Sequence, residues 1–185
     1  TWAGISGGTQ SKQTFALGAA PSGYEASNYY NLTITANNQN GELKQTVEDV
    51  RTFAGQRVTL SFWARSTVGA QLVNSGLYQY FGTGGSPSAT VAANSVAGQT
   101  YTWTAGATWQ RYSFVFDLPQ LTGKTLGTNN DHYLWVRIFQ FSQTTTNTSI
   151  DIWGVQLEQG SVATPFVRSG GDYAGELAKC QRYYV

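Results

Sequence analysis

The chain is 185 residues long, with 11% charged and 14% aromatic residues and a formal net charge of +1. That length suits one domain with a sizeable core, and so small a net charge excludes a global field that would gather nucleic acid or acidic lipid. No apolar run approaches the ~18 residues of a bilayer span, and the one cysteine, Cys180, excludes an internal disulfide and a cysteine-based zinc site.

Apolar and polar residues alternate with period two through most of the chain. In chain order this predicts strands over 28–36 (NYYNLTITA), 42–50, 56–66 (QRVTLSFWARS), 70–81, 98–104, 109–117 (WQRYSFVFD), 132–142 (HYLWVRIFQFS) and 148–158. Turn clusters separate them, among them Asn37-Asn38-Gln39-Asn40-Gly41, Gly82-Thr83-Gly84-Gly85 and Asn129-Asn130-Asp131. The expected fold class is all-β, a two-sheet antiparallel β-sandwich. Residues 1–169 are expected to form the sandwich, and 170–185 a C-terminal extension, with a short helical segment at 173–184, leading to a following domain. The sequence has no Met, and its first residues, TWAGISGGTQ, lack the basic start and apolar centre of a signal peptide, so it reads as a piece of a longer protein.

Catalytic chemistry finds little support. The one histidine, His132, follows Asn129-Asn130-Asp131 and reads as a surface turn residue. No G-x-S-x-G surrounds a serine, and Gly123-Lys124-Thr125 lacks the first glycine of a phosphate loop, Leu118 standing in its place. The 10 acidic residues are unclustered, which argues against a glycoside hydrolase. Asp151, between Ile150 and Ile152, needs a partner if buried. That partner is either a structural Ca²⁺ or a backbone donor or arginine, and the lack of a second acid at useful spacing favours the latter.

Alternation also assigns faces. Val58, Leu60, Phe62 and Ala64 share one side of their strand and read as core, as do Leu134, Val136 and Ile138 of another. The opposite sides mix aromatics with arginine: Trp63 and Arg65 on the first, and Tyr133, Trp135, Arg137, Phe139 and Phe141 on the second. Tyr78 and Tyr80 alternate in the same manner with Leu77, Gln79 and Phe81. Flat rings beside guanidinium groups suit the apolar faces and hydroxyls of sugars. The same rings would equally cover a sheet beneath loops or a neighbouring subunit. The candidate glycan-binding set is Trp63, Arg65, Tyr78, Tyr80, Trp135 and Arg137, expected to share a face if their strands share a sheet.

Several stretches together resemble a known family. These are ELKQTVEDVRTFAGQRVTLSFWARS, WQRYSFVFDLP, GKTLGTNNDHYLWVRI, IDIWGVQLEQGSVATPF and GELAKCQRYY, within residues 42–66 and 109–184. In this order they resemble a β-sandwich domain of tail fibres and other adhesion proteins of tailed bacteriophages, itself similar to the jelly-roll carbohydrate-binding modules of secreted glycosidases. The resemblance implies a virion location, a homotrimer within a longer fibre, and a host cell-surface glycan as partner, with neither nucleic acid nor membrane insertion. In the modules an aspartate at the start of the last strand often lies near a structural calcium; here that position is Asp151, with no second ligand matched, and no other cofactor is expected. The first forty residues and the loop at 82–98 match nothing in the family. The sequence thus supports a non-catalytic receptor-binding module, with a structural or trimerisation module of the fibre as the alternative and a carbohydrate-active enzyme disfavoured.

Overall fold

Alternating segments of this kind form sheets because every second side chain can be buried on one face while neighbouring strands satisfy the backbone. A computed structural model describes residues 2–3, 8–34, 41–96, 101–141 and 148–167, and among them there are strands and turns but no helix. The segment expected to be helical at 173–184, Cys180 and the extension 170–185 lie outside the described residues. In chain order the strands are β1 (Trp2–Ala3), β2 (Gly8–Thr14), β3 (Asn28–Ile34), β4 (Glu42–Glu48), β5 (Arg57–Ser66), β6 (Gln71–Tyr80), β7 (Val91–Ala92), β8 (Asn94–Ser95), β9 (Thr102–Ala105), β10 (Gln110–Asp117), β11 (Tyr133–Phe141) and β12 (Thr148–Gln159).

They make two antiparallel six-stranded sheets. One, the β5 sheet, has the order β2-β3-β12-β5-β10-β8; the other, the β11 sheet, has the order β1-β4-β11-β6-β7, with β9 also paired to β6. The expected two-sheet antiparallel sandwich is therefore the observed fold. Its core is the layer between the sheets. Val58, Leu60, Phe62 and Ala64 of β5 and Leu134 and Ile138 of β11 are fully buried there, with Leu32, Ile34 and Ile150. Each such Val, Leu, Ile or Phe side chain contributes roughly 1.5–3 kcal/mol through burial.

Two irregularities change what alternation alone predicts. In β11, pairing with β6 jumps from Arg137↔Gly76 to Gln140↔Asn74, so Ser75 stands opposite both Ile138 and Phe139. Ser75 Oγ donates to the Ile138 carbonyl at 2.5 Å and accepts from Trp103 Nε1 at 3.0 Å, which holds this bulge in place. Past it the side-chain phase inverts: Phe139 and Phe141 are buried in the core, not on the face of Trp135 and Arg137 where alternation puts them. In β12 the pairing jumps from Trp153↔Trp63 to Gln156↔Ser61, and Gly154 sits in the gap at φ 63°, a conformation that favours glycine. The strand bends there and keeps Val155 and Leu157 packed against the core. Strand β2, GTQSKQT, carries no apolar residue and so gave no sequence signal.

Candidate functional site

The six candidate residues divide between the two outer surfaces of the sandwich. Trp63 and Arg65 lie on β5 in one sheet; Tyr78 and Tyr80 on β6 and Trp135 and Arg137 on β11 lie in the other. The expectation of one shared face is therefore corrected: alternation separates inside from outside, but both sheets have an outside.

On the β5 sheet the outer rings are covered by two chain segments. Residues 15–27 cross the sheet and seat Phe15, only 8% exposed, 4.6 Å from Tyr29 and 5.5 Å from Trp109 between ring centroids. From the same segment, Tyr24 lies 5.1 Å from Trp153 and 6.2 Å from Trp63. After β12 the chain turns at Gly160, whose N–H donates to the Arg57 carbonyl at 2.9 Å, and returns over the sheet. Phe166 then packs 4.9 Å from Trp153, and its N–H donates to Tyr24 Oη at 2.9 Å. Glu158 fastens this strap: it accepts the Thr164 N–H at 2.7 Å, the Thr164 hydroxyl at 2.6 Å and the Gln156 amide at 2.8 Å. Burial pushes the Glu158 carboxyl upward, but these hydrogen bonds and the nearby Arg111 prevail and hold it below its usual value. Arg111 also donates to the Thr164 carbonyl.

Arg65 belongs to the same structure. Its Nε donates to Asp151 Oδ2 at 2.8 Å, its guanidinium lies 4.9 Å from the Trp109 ring, and Nη2 donates to Tyr29 Oη at 3.3 Å. Asp151, with its side chain 2% exposed, also accepts the Asn31 amide at 2.6 Å. Its two oxygens thus face an arginine and an amide, and no three His, Cys, Asp or Glu side chains among the described residues are placed to hold a metal.

The β11 sheet presents a different surface. Register places Tyr133 opposite Tyr80, Trp135 opposite Tyr78, and Arg137 opposite Gly76. On the other flank Tyr133, Trp135 and Arg137 face Glu48, Thr46 and Lys44 of β4. Successive rungs are ~7 Å apart along the strand, so the row spans about 13 Å. The Tyr80 and Tyr133 rings lie side by side, 4.7 Å apart with 33° between their planes, and Tyr78 and Trp135 lie 5.0 Å apart at 40°. All four are half-buried, and among the described residues no ring from a loop packs onto them. Burial, with Asp131 and Tyr133 nearby, pushes the Tyr80 phenol upward, so it stays a neutral donor. The Arg137 guanidinium lies 4.7 Å from the Tyr78 ring and 5.0 Å from Trp135; Nη1 donates to Tyr78 Oη at 2.6 Å and Nε to Glu42 at 3.1 Å.

A polar recess of about 520 Å³ opens beside Tyr133, lined also by Thr46, Glu48, Asn130, Asp131 and His132. The end of β4 and residues 130–133 build its wall, and the loop at 82–85 braces Asp131 from behind. Asp131 accepts the Thr83 N–H at 2.7 Å and the Thr83 hydroxyl at 2.6 Å, and these bonds hold its carboxyl below the usual range. His132 is not the surface residue its neighbours suggest: its side chain is 8% exposed, with Nδ1 3.1 Å from Asp49 Oδ1. Asp49 is lowered in spite of burial by hydrogen bonds and charge from Arg51, with His132 adding to the effect. Sequence reasoning placed Tyr133 on the right side of its strand without choosing it. It missed the recess, which loops far apart in sequence create. A second cavity, about 580 Å³ and lined by Tyr30, Leu43, Ile152, Val155, Gln10 and Lys12, opens at the β2–β3 edge.

No family model matches the sequence, and no curated protein matches it. Solved structures do match. The CBM22-1 xylan-binding domain of Paenibacillus barcinonensis Xyn10C superposes with a TM-score of 0.55 at 10% identity, over 88% of this chain and 87% of that one. A putative sugar binding protein from Bacteroides thetaiotaomicron gives 0.57 at 11% identity, over 86% and 88%. The enzymatically active domain of tailspike protein 4 from bacteriophage CBA120 gives 0.51 at 15% identity, with 86% of this chain matching 19% of that chain. At these identities the likeness is one of fold: the chain has the β-sandwich of carbohydrate-binding modules.

Proposed function

We propose that this chain is a non-catalytic carbohydrate-binding module whose glycan lies along the outer face of the β11 sheet. The observation that carries the reading is the Tyr80–Tyr133 pair, in register with Tyr78–Trp135 and beside the polar recess. Paired rings offer a platform for the apolar faces of sugars, and the recess and Arg137 offer hydrogen-bond partners for hydroxyls. A few convergent polar groups beside apolar surface are the usual make-up of a small-ligand site. The neighbouring xylan-binding and sugar-binding folds support the same class of ligand.

A non-catalytic role is supported by the neighbouring xylan-binding domain, a fold of the same kind. The resemblance in sequence to tail-fibre adhesins extends the proposal to a host-surface glycan, a virion location and a trimer in which weak sites add by avidity. The test is a glycan array on the isolated chain, followed by titration of the best binder against Tyr133→Ala. Binding that is lost in this variant supports the reading; binding that persists unchanged overturns it.

A further inference from the structure

The charges on this face are unevenly shared along its length. At the end near Arg137, two cations share one carboxylate: Glu42 reaches Lys44 Nζ at 3.1 Å through one oxygen and Arg137 Nε at 3.1 Å through the other. Among the described residues no second carboxylate contacts either cation. At the opposite end the recess is lined by Glu48, Asp49 and Asp131. One uncompensated positive charge therefore sits at one end of the ring plateau, and negative charge at the other.

The basic end is preorganised. The Arg137 side chain is 13% exposed and is fixed on two sides, by Glu42 at Nε and Tyr78 Oη at Nη1, with Nη2 not engaged by either. A guanidinium held in place loses little further freedom when it takes a ligand oxygen. Lys44 Nζ lies 4.4 Å from the centroid of the Trp135 ring with its side chain 26% exposed, so its donors border the place where a sugar would meet that ring. Partial burial also lessens screening by salt.

We propose that the Lys44–Arg137 end of the plateau takes the carboxylate of an acidic sugar residue, of the uronic acid class. This rests on the carbohydrate-binding reading and names its ligand class. Glu42 then sets the strength of the site, because its own charge competes with that of the sugar.

The experiment is an array in which each uronate-bearing oligosaccharide is paired with its carboxyl-reduced, neutral form, followed by titration of the best pair. The acid form is expected to bind about tenfold tighter, the scale of one charge-assisted contact. That advantage should shrink as salt rises from about 0.05 to 0.5 M. Lys44→Gln and Arg137→Gln are expected to collapse the ratio between acid and neutral forms, and Glu42→Gln to widen it. Lys44 is the more exposed of the two, so its variant keeps the test sound if Arg137→Gln folds poorly. Equal affinity for both forms, or substitutions that weaken both forms alike, overturns the proposal while leaving carbohydrate binding standing. Failure to bind any glycan overturns both.

Discussion

The two outer faces of the sandwich start from the same residue types and end with different fates. Each sets tryptophan and arginine two residues apart on a central strand: Trp63 and Arg65 on β5, Trp135 and Arg137 on β11. On the β5 face the crossing segment 15–27 and the strap 160–167 bring Phe15, Tyr24 and Phe166 onto the rings, and Arg65 is spent on Asp151. On the β11 face, among the described residues, the four rings meet no other aromatic ring and pair with one another, and Arg137 keeps an edge free of Glu42 and Tyr78. Composition therefore does not distinguish an aromatic face packed under crossing segments from one whose rings pair only among themselves in the described residues. What crosses the sheet does, and that depends on loops.

The comparison is broken most directly through stability. Arg65→Ala leaves the Asp151 carboxylate buried beside the Asn31 amide without its counter-charge, and stranding a buried charge costs about 3–5 kcal/mol. Trp153→Ala removes the ring on which Tyr24, Phe15 and Phe166 converge, at about 3 kcal/mol. On the β11 face Trp135→Ala is expected to cost about 1 kcal/mol, as a half-exposed ring leaves little cavity. Urea unfolding midpoints measure all three. Equal losses on the two faces would mean that the β11 rings are core in disguise.

Much of this fold was legible in the sequence. Val58, Leu60, Phe62 and Ala64 alternate cleanly and are all fully buried, and the bend at Gly154 could be read from the residue itself. Three things could not be read. Strand order is set by contacts across the sandwich, so the sequence could not tell that β5 and β11 belong to different sheets. A bulge inserts one residue without any mark in the alternation, so Phe139 and Phe141 were assigned to the wrong side. An edge strand such as β2 has little to bury, so GTQSKQT carries no pattern. The stretch from Val155 to Phe166, one part of the family resemblance, is tied together in the structure: Gln156, Glu158, Thr164 and Phe166 form one fastening.

Binding sharpens the same comparison on a smaller scale. Tyr80→Ala and Tyr133→Ala should each weaken glycan binding by tenfold or more, about 1.4 kcal/mol, while unfolding midpoints move little. Trp63→Ala should do the reverse, lowering stability with no effect on affinity beyond the fraction unfolded. Calorimetric titration at a temperature where all three variants are folded separates these outcomes. A loss of affinity in folded Trp63→Ala would return that residue to the binding set.

The smallest expected effect concerns how the strap is held. Glu158 has its acidity increased in the folded chain, so it contributes stability above its unfolded value of about 4.3, and the contribution disappears as pH falls through the lower folded value. Protonation there removes acceptor strength from the Thr164 N–H, the Thr164 hydroxyl and the Gln156 amide together. Phe166 then loses the anchor that keeps it on Trp153, and the tryptophan environment changes before the core opens. Tryptophan fluorescence followed from pH 7 downward should show a step below the ordinary glutamate range that precedes the loss of far-ultraviolet sheet signal. Asp49, Asp117 and Asp131 are lowered too and titrate with the same sign, so the assignment needs a difference. Glu158→Gln is that difference: it cannot ionise, and in it the early step should be missing while acid unfolding of the core persists. A step of unchanged size in Glu158→Gln would assign it to one of these aspartates and show that the Glu158 charge does not hold the strap.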